Sequence, residues 1–392
     1  MYLPLFARFL ASFAIGTTEF VVAGILPQIA TDLGVDIPTA GYLISGYALG
    51  VAVGGPVMAI LTSGFERKAT LLGLMAIFIA GNALCGLAPS YGWLMAARIF
   101  ISLSHEAFFG IAVVVAASLV PEERHASAIS LVVAGITVAN VFGVPAGTAI
   151  GNVFGWRASF WAIAVLGVLA AVGAAVWLPR SMPGHGTKPS FGLQLRVLGK
   201  QEVFLSIVII VMSAAGFFAL FSYIAPVLTE VSGLPPLALP WLLSVFGIGA
   251  LIGNLAGGRL ADWKLMPSII GIFATLVAAN FLLLFVLPNL AAATVVLFVW
   301  SLANFAFSAP LQSRILKATR EAPNLAASLL ATAFNVGISA GAAIGAVALT
   351  RGVGYAELPW LGLAGTLPAL GLAVVSLLLD RREAVAARPA AA

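Results

Sequence analysis

Apolar runs long enough to cross a lipid bilayer follow one another along almost the whole chain. A membrane-spanning helix needs about 20 predominantly apolar residues, and runs of this kind, bounded by proline, glycine or charged residues, occur twelve times. Charged residues make up 8% of the chain, against about 25% in soluble proteins, which excludes a soluble fold and a disordered chain. The sequence therefore predicts an all-α integral membrane protein. The predicted spans cover residues 4–30, 38–62, 69–88, 91–120, 125–153, 157–178, 203–230, 235–261, 267–287, 289–316, 323–350 and 356–379.

The basic residues orient these spans. Of the 19 Lys and Arg residues, we assign 16 to the two termini and to the loops that follow even-numbered spans. Arg157 and Arg351 lie at the opposite end, and Arg98 lies inside a span. Because basic loops remain on the cytoplasmic side of a membrane, both termini are predicted to be cytoplasmic. The same rule accounts for the net charge of +5, so no nucleic-acid partner is expected.

A hydrophilic segment interrupts the apolar runs after the sixth span. It is rich in proline and glycine and carries four basic residues, which is typical of a linker. The predicted organisation is an N-terminal six-helix bundle at 1–178, a cytoplasmic linker at 179–202, a C-terminal six-helix bundle at 203–380 and a cytoplasmic tail at 381–392.

The two predicted bundles share a sequence repeat. Residues 146–151 in span five resemble residues 340–345 in span eleven, an Asn-Val pair precedes each segment, and an arginine follows each. Chance recurrence of glycine and alanine in membrane helices is the alternative, but the shared order favours a true repeat. Two parallel six-helix repeats are typical of transporters, whose substrate site lies near the midplane between the halves.

Short motifs are distributed over both predicted bundles. They comprise residues 16–20 and 26–33 in span one, Arg98, His105 and 108–110 in span four, 143–147 in span five, 155–157 after it, and 223–226 in span seven. Together they resemble the major facilitator superfamily, and within it the bacterial drug:proton antiporter branch that includes arabinose-efflux-like and purine-efflux-like permeases. The resemblance covers the whole chain.

The loop after span two departs from the superfamily pattern, which reads Asp-Arg-x-Gly-Arg-Lys. Ser63 stands at the Asp position, Arg67 and Lys68 retain the basic pair, and Asp262 after span eight retains the acid in the equivalent loop. We therefore expect the charge-based latch that this loop supplies in the family to be weaker or redistributed. Glu106 is a second departure, because the branch often has glycine there.

The resemblance implies the major facilitator fold, with two pseudo-symmetric six-helix bundles in a bacterial inner membrane. It implies a monomeric secondary active transporter, not an enzyme, that exports small organic molecules such as drugs, sugars or nucleosides in exchange for protons. Proton-coupled uptake of a sugar, nucleobase or organic anion remains open, because the span-five motif alone favours export. The sequence has no phosphate-binding loop for ATP and a single cysteine, Cys85, so neither a cofactor nor a metal is expected.

Four ionisable residues lie inside predicted spans, namely Glu19, Arg98, His105 and Glu106. A charge at the bilayer centre costs roughly 2.5–3.5 kcal/mol on insertion scales, which makes such residues candidates for function. Arg98 and His105 share a helix face, and Glu19 lies at a similar depth. We predict that Glu19 binds the coupling proton, with a static Glu19–Arg98 ion pair as the alternative. Glu106 is a second candidate, for the proton or for a cationic substrate, and His105 either titrates or donates a hydrogen bond as a neutral group.

The resemblance also implies that spans one, four, seven and ten line the cavity and that span five seals it. Aromatic walls with a few polar groups suit small amphipathic ligands. The predicted substrate-binding residues are Phe221, Tyr223, Trp300, Asn304 and Asn140. The predicted sealing and conformational residues are Gly143, Pro145, Gly147, Arg67, Lys68 and Asp262. Tight helix packing without coupling is the alternative for the glycines.

Overall fold

The structure of the protein, a computed structural model, describes residues 2–179, 199–319 and 323–386. Within these ranges twelve helical segments are long and apolar enough to cross a membrane, and we number them spans one to twelve. Their bounds are Leu3–Leu33, Ile37–Thr62, Arg67–Gly86, Tyr91–Ser118, Glu122–Phe154, Trp156–Trp177, Gln201–Phe221, Pro236–Trp263, Leu265–Val286, Leu290–Ala318, Ser328–Thr350 and Tyr355–Asp380. The predicted all-α architecture of twelve spans is confirmed.

Two spans differ from their predicted extents. Span seven is broken after Phe221, and the chain resumes as a short helix at Ile224–Pro226 and a π-helix at Val227–Val231. Pro226 causes the break, because it lacks the N–H group that would bond to the carbonyl four residues earlier. Span twelve continues as helix to Ala386. The first part of the predicted tail therefore belongs to this helix, and its end lies outside the described residues. Most of the predicted linker also lies outside the described residues.

Glycine ends the same odd-numbered spans in each half. Gly34 and Gly155 follow spans one and five, and Gly233 and Gly352 follow spans seven and eleven. All four have φ between 65° and 89°, a left-handed conformation that only glycine adopts without steric cost. The equivalent turns in the two halves agree with the repeat that the sequence predicts.

The two halves meet where span two packs on span eleven and span five packs on span eight. Ser45 Oγ of span two donates to the carbonyl of Ser339 at 2.9 Å, and Asn152 Nδ2 of span five donates to the carbonyl of Pro236 at 2.8 Å. These bonds lie in the parts of the spans that are remote from the chain termini. The halves are therefore joined at the end opposite the termini.

Span five contains a π-helix at Ala139–Gly143 that its repeat partner lacks. Gly147 follows Asn140 by seven positions, whereas Gly341 follows Asn335 by six. A π-helix is a local insertion of one residue into an α-helix, so the extra residue and the π-helix coincide. The wider turn also accommodates Pro145, whose ring would otherwise collide with the carbonyl four residues earlier.

We expect deletion of Phe142 to impair the protein far more than truncation of its side chain. The deletion removes the extra residue and closes the wider turn, so the Pro145 ring collides with the carbonyl four residues earlier. The melting temperature in detergent should then fall by about 5 °C or more, and transport should be lost. Phe142→Ala is the matched control, because this side chain is 64% exposed. A deletion variant that melts and transports like Phe142→Ala would contradict the expected role of the bulge.

Candidate functional site

Glu19 lies in span one and faces span four, next to a residue that contacts the C-terminal half. Its side chain is buried, with 8% exposed, and its Oε2 atom lies 3.9 Å from Nε2 of His105 in span four. The next residue, Phe20, stacks on Phe218 of span seven with ring centroids 6.0 Å apart. A buried carboxylate must be paired or neutralised, so the surroundings of Glu19 govern whether it carries a charge.

Arg98 binds the backbone of span one and not the Glu19 carboxylate. Its fully buried guanidinium donates to the carbonyl of Thr18 at 2.6 Å and, at 3.5 Å, to the carbonyl of Glu19. The guanidinium carbon also lies 4.0 Å from the ring centroid of Tyr47 in span two. The static Glu19–Arg98 ion pair is therefore not formed in this structure, although the two residues are adjacent.

Tyr47 is a site residue that sequence reasoning missed. Its hydroxyl lies 2.9 Å from Nδ1 of His105, and both side chains are buried. His105 thus takes part in a hydrogen bond between helices in which either group could be the donor, and its two predicted roles, titration and donation of a hydrogen bond, stay predictions. In the sequence, the feature that could have indicated Tyr47 is a phenol among the small and aliphatic residues of span two. Its partner His105 is evident only from the three-dimensional structure.

Two further ionisable side chains, in spans one and four, form no ion pair with any described residue. Glu106 is half-buried in span four, and its Cβ and Cγ atoms face Gly55 of span two. Arg8, which the charge count assigned to the N-terminus, lies inside span one with 2% of its surface exposed. None of its three guanidinium nitrogens has a hydrogen-bond partner in the described part of the chain. Both remain candidates for a role that depends on an added partner.

Five aromatic residues of spans seven, eight and ten form one cluster behind Phe20. We call Phe217, Phe221, Phe246, Trp300 and Phe305 the aromatic cluster. Phe217 stacks on Trp300 with centroids 4.5 Å apart, and Phe221 stacks on Phe246 at 4.8 Å. The predicted residues Phe221 and Trp300 thus lie together in the C-terminal half, facing the half that holds Glu19.

Asn304 extends this cluster by one helical turn of span ten. Its Nδ2 donates to the carbonyl of Trp300 at 3.0 Å. Its Oδ1 and the indole Nε1 of Trp300 are buried and have no hydrogen-bond partner among the described residues. The structure therefore holds one unpaired acceptor and one unpaired donor beside the aromatic cluster.

The other two predicted substrate residues lie at contacts between helices. Tyr223 is fully buried in the break of span seven, where its hydroxyl donates to the carbonyl of Ala342 at 2.8 Å and its ring faces Gly41 of span two. Asn140 donates to the carbonyl of Ile136 in its own helix at 3.2 Å. A methyl group at Gly247 of span eight would overlap the Asn140 carbonyl oxygen. Their predicted role in substrate binding is untested.

The glycines of span five form a strip that faces span one. A methyl group at Gly143 would overlap Thr17, and one at Gly147 would lie 2.6 Å from Cγ2 of Val21. Pro145 is buried between them. Close approach of this kind is what small residues at helix interfaces permit, so spans one and five are tightly meshed where the motif lies.

The predicted loop residues do not form a charged latch within the described part of the chain. Lys68 donates to the carbonyls of Ala175 and Leu178 at 2.8 Å each, and so satisfies the last turn of span six. Arg67 and Asp262 form no ion pair there. The described residues also contain no group of three or more His, Cys, Asp or Glu side chains that could hold a metal ion.

Comparison with known proteins places this arrangement in a family. A profile of the Major Facilitator Superfamily matches residues 8–342. The chain is 40% identical to the inner membrane transport protein YdhP of Escherichia coli (strain K12), over 97% of this chain and 96% of that protein. It is 34% identical to a chloramphenicol resistance protein of Streptomyces lividans, over 95% of each.

A solved structure shares the fold. The crystal structure of a bacterial homologue of the human lysosomal transporter Spinster, in an inward-facing and unoccupied conformation, matches with a TM-score of 0.74 and 18% identity. The match covers 99% of this chain and 98% of that one. The chain belongs to the Major Facilitator Superfamily. It is a multi-pass membrane transporter of small molecules and not an enzyme, which confirms the family, the fold and the transporter class predicted from the sequence.

We expect Gly147→Leu to insert into the membrane and lose most of its transport. The added side chain collides with Val21, and overpacking of this kind costs about 1–3 kcal/mol at a contact that spans one and five need for a seal. The measurement compares transport rate per folded protein with size-exclusion profiles in detergent. Gly110→Leu in span four is the control, because a Cβ atom at Gly110 meets no atom within 4 Å. Equal transport by both variants would exclude the sealing role.

Proposed function

We propose that this transporter exports small organic molecules in exchange for protons by alternating access. It works as a monomer in the bacterial inner membrane with both termini in the cytoplasm. The observation that carries the proposal is the buried carboxylate of Glu19, which lies 3.9 Å from His105 and next to Phe20, a residue that contacts the other half.

Whether Glu19 is ionised or protonated affects how the two halves pack against each other. The residue next to it, Phe20, stacks on Phe218 and lies edge-on to Phe221 in the other half. An ionised carboxylate beside this apolar contact is costly unless water reaches it. Protonation therefore favours the packed arrangement, and deprotonation favours one that admits water.

Arg98 provides the second element of the coupling. Because its guanidinium binds the carbonyls of Thr18 and Glu19, it holds a positive charge near the carboxylate without forming a direct pair. This charge favours release of the proton. Movement of span one relative to span four changes the distance between the two groups, and with it the proton affinity.

The substrate is proposed to bind between Glu19 and the aromatic cluster. Buried polar atoms without partners cost about 1–3 kcal/mol each, and the Trp300 donor and the Asn304 acceptor are two such atoms. A ligand with an aromatic ring and a hydroxyl or amide group would satisfy both. A relative that is named a chloramphenicol resistance protein supports a drug-like substrate and favours export over uptake.

We expect Glu19→Gln to fold normally and to lose transport driven by a pH gradient. The amide preserves shape but carries no exchangeable charge, so transport is no longer coupled to the proton. The assay uses proteoliposomes with an imposed pH gradient and a panel of labelled drugs, sugars and nucleosides. Proton flux is followed in parallel with a pH-sensitive dye.

Two further variants give this assay its controls. Glu123→Gln changes an exposed carboxylate at the start of span five and should leave transport unchanged. Glu106→Gln separates the second candidate carboxylate from Glu19. Undiminished gradient-driven transport by Glu19→Gln would refute the assignment, and movement of substrate in the direction of the protons would establish uptake of a sugar, nucleobase or organic anion instead of export.

A further inference from the structure

Four side chains form a continuous row from span one to span two through span four. The Glu19 carboxylate faces Nε2 of His105 at 3.9 Å. Nδ1 of the same ring lies 2.9 Å from the Tyr47 hydroxyl, and the Tyr47 ring lies under the Arg98 guanidinium. All four are buried. Tyr47 is the member of this row that the coupling scheme above does not use.

The hydrogen-bond inventory of the row selects one tautomer of His105. A neutral imidazole has one nitrogen that donates and one that accepts. If Nδ1 carried the hydrogen and donated to Tyr47, the buried phenol hydrogen would have no acceptor among the described residues, at a cost of about 1–3 kcal/mol. The lone pair of Nε2 would then also face Glu19, which is repulsive whenever the carboxylate is ionised.

The opposite tautomer has neither defect. The Tyr47 hydroxyl donates to Nδ1, and the imidazole hydrogen lies on Nε2, where it faces Glu19. Arg98 above the phenol ring reinforces this direction, because a nearby cation polarises the hydroxyl toward donation. The tautomer of a histidine is set by the hydrogen bond that its other nitrogen makes.

We propose that Tyr47 is a positioning residue that fixes His105 as the Nε2–H tautomer and thereby sets the pH at which Glu19 exchanges its proton. In this tautomer His105 stabilises the ionised Glu19 and cannot accept its proton, since Nε2 already carries a hydrogen and Nδ1 accepts the hydrogen bond from Tyr47. His105 is thus a fixed donor and not a relay. The inference rests on the proposed function for its transport readout, but the tautomer itself is independent of that function.

Few charged or titratable groups in the described part of the chain contribute to the electrostatic field at Glu19. Spans five to eight bring no ionisable side chain there that contributes to it. The groups that face Glu19 or its immediate partners are Arg98, His105 and Glu106 on span four, Tyr47 on span two, and Cys85 on span three. Replacement of the Tyr47 hydroxyl changes none of these charges, so its effect passes through the orientation of His105.

The first test is the pH profile of gradient-driven transport by Tyr47→Phe. Phenylalanine keeps the ring beneath Arg98 and removes the hydroxyl. His105 is then free to adopt the Nδ1–H tautomer, in which the Nε2 lone pair accepts from protonated Glu19. This favours the protonated form of Glu19. The pH of half-maximal transport should move upward by about 0.5–1 unit. In a His105→Gln background the same substitution should cause no shift.

The controls separate positioning from packing. Tyr91→Phe removes another tyrosine hydroxyl bond, a part-buried one to the carbonyl of Thr39 at 2.8 Å, and should leave the midpoint unchanged. A structural defect in Tyr47→Phe would lower transport at every pH without moving the midpoint. An unchanged midpoint, or an equal shift in the His105→Gln background, would overturn the proposal.

The second test observes the tautomer directly. Nitrogen-15 NMR of the histidine-labelled protein distinguishes a protonated from an unprotonated ring nitrogen, and His105→Gln identifies the His105 signal among the three histidines. We expect Nε2–H in the unaltered protein and a loss of that preference in Tyr47→Phe. Nδ1–H in the unaltered protein would refute the proposal. If Glu19→Gln keeps its full pH dependence, the proposed coupling fails while the tautomer test still stands.

Discussion

The bonds from Arg98 to the span-one carbonyls are the interaction on which the rest of the site depends. A guanidinium that is fully buried in a membrane helix bundle must find acceptors, because its transfer out of water is expensive. Here the acceptors are the carbonyls of Thr18 and Glu19, and the ring of Tyr47 covers one face of the cation. Spans one, two and four are thereby held in register. The Glu19 carboxylate is left without a direct bond to Arg98, as the proposed exchange of a proton at Glu19 requires.

The two halves divide the chemistry of the site between them. Asn289 caps span ten, and Ser90 caps span four. The number of residues from Asn289 to Asn304 equals the number from Ser90 to His105, so Asn304 and His105 occupy equivalent positions in the two halves. The repeat therefore places a neutral amide in the C-terminal half where the N-terminal half has an imidazole. Ionisable groups cluster on the N-terminal side and aromatic rings on the other. One repeat thus presents the groups suited to binding a proton and the other those suited to binding an organic ligand, at one shared surface.

The sequence predicted the spans and four ionisable residues inside them, because hydropathy and charge act residue by residue, but it assigned the buried Arg8 to the N-terminus. It did not reveal the partner of Arg98 or the role of Tyr47, since these depend on which helix faces meet. The possible Glu19–Arg98 ion pair was inferred only from the similar depth of the two residues in the membrane. Depth does not determine whether Arg98 binds the side chain or the backbone of span one. The π-helix had a readable signal in the spacing of Asn140 and Gly147 relative to their repeat partners.

Small residues connect the segment that holds Glu19 to the contact between the halves. Thr17 and Val21 flank Glu19 in span one, and they lie against Gly143 and Gly147 of span five. A displacement of span one is therefore transmitted to span five, because a closely packed interface without side-chain slack moves as a unit. The π-helix then presents the Asn140 carbonyl to Gly247 of span eight. A change in the charge of Glu19 thus has a continuous path of packed atoms to the other half, and the extra residue in span five is what aims that path at span eight.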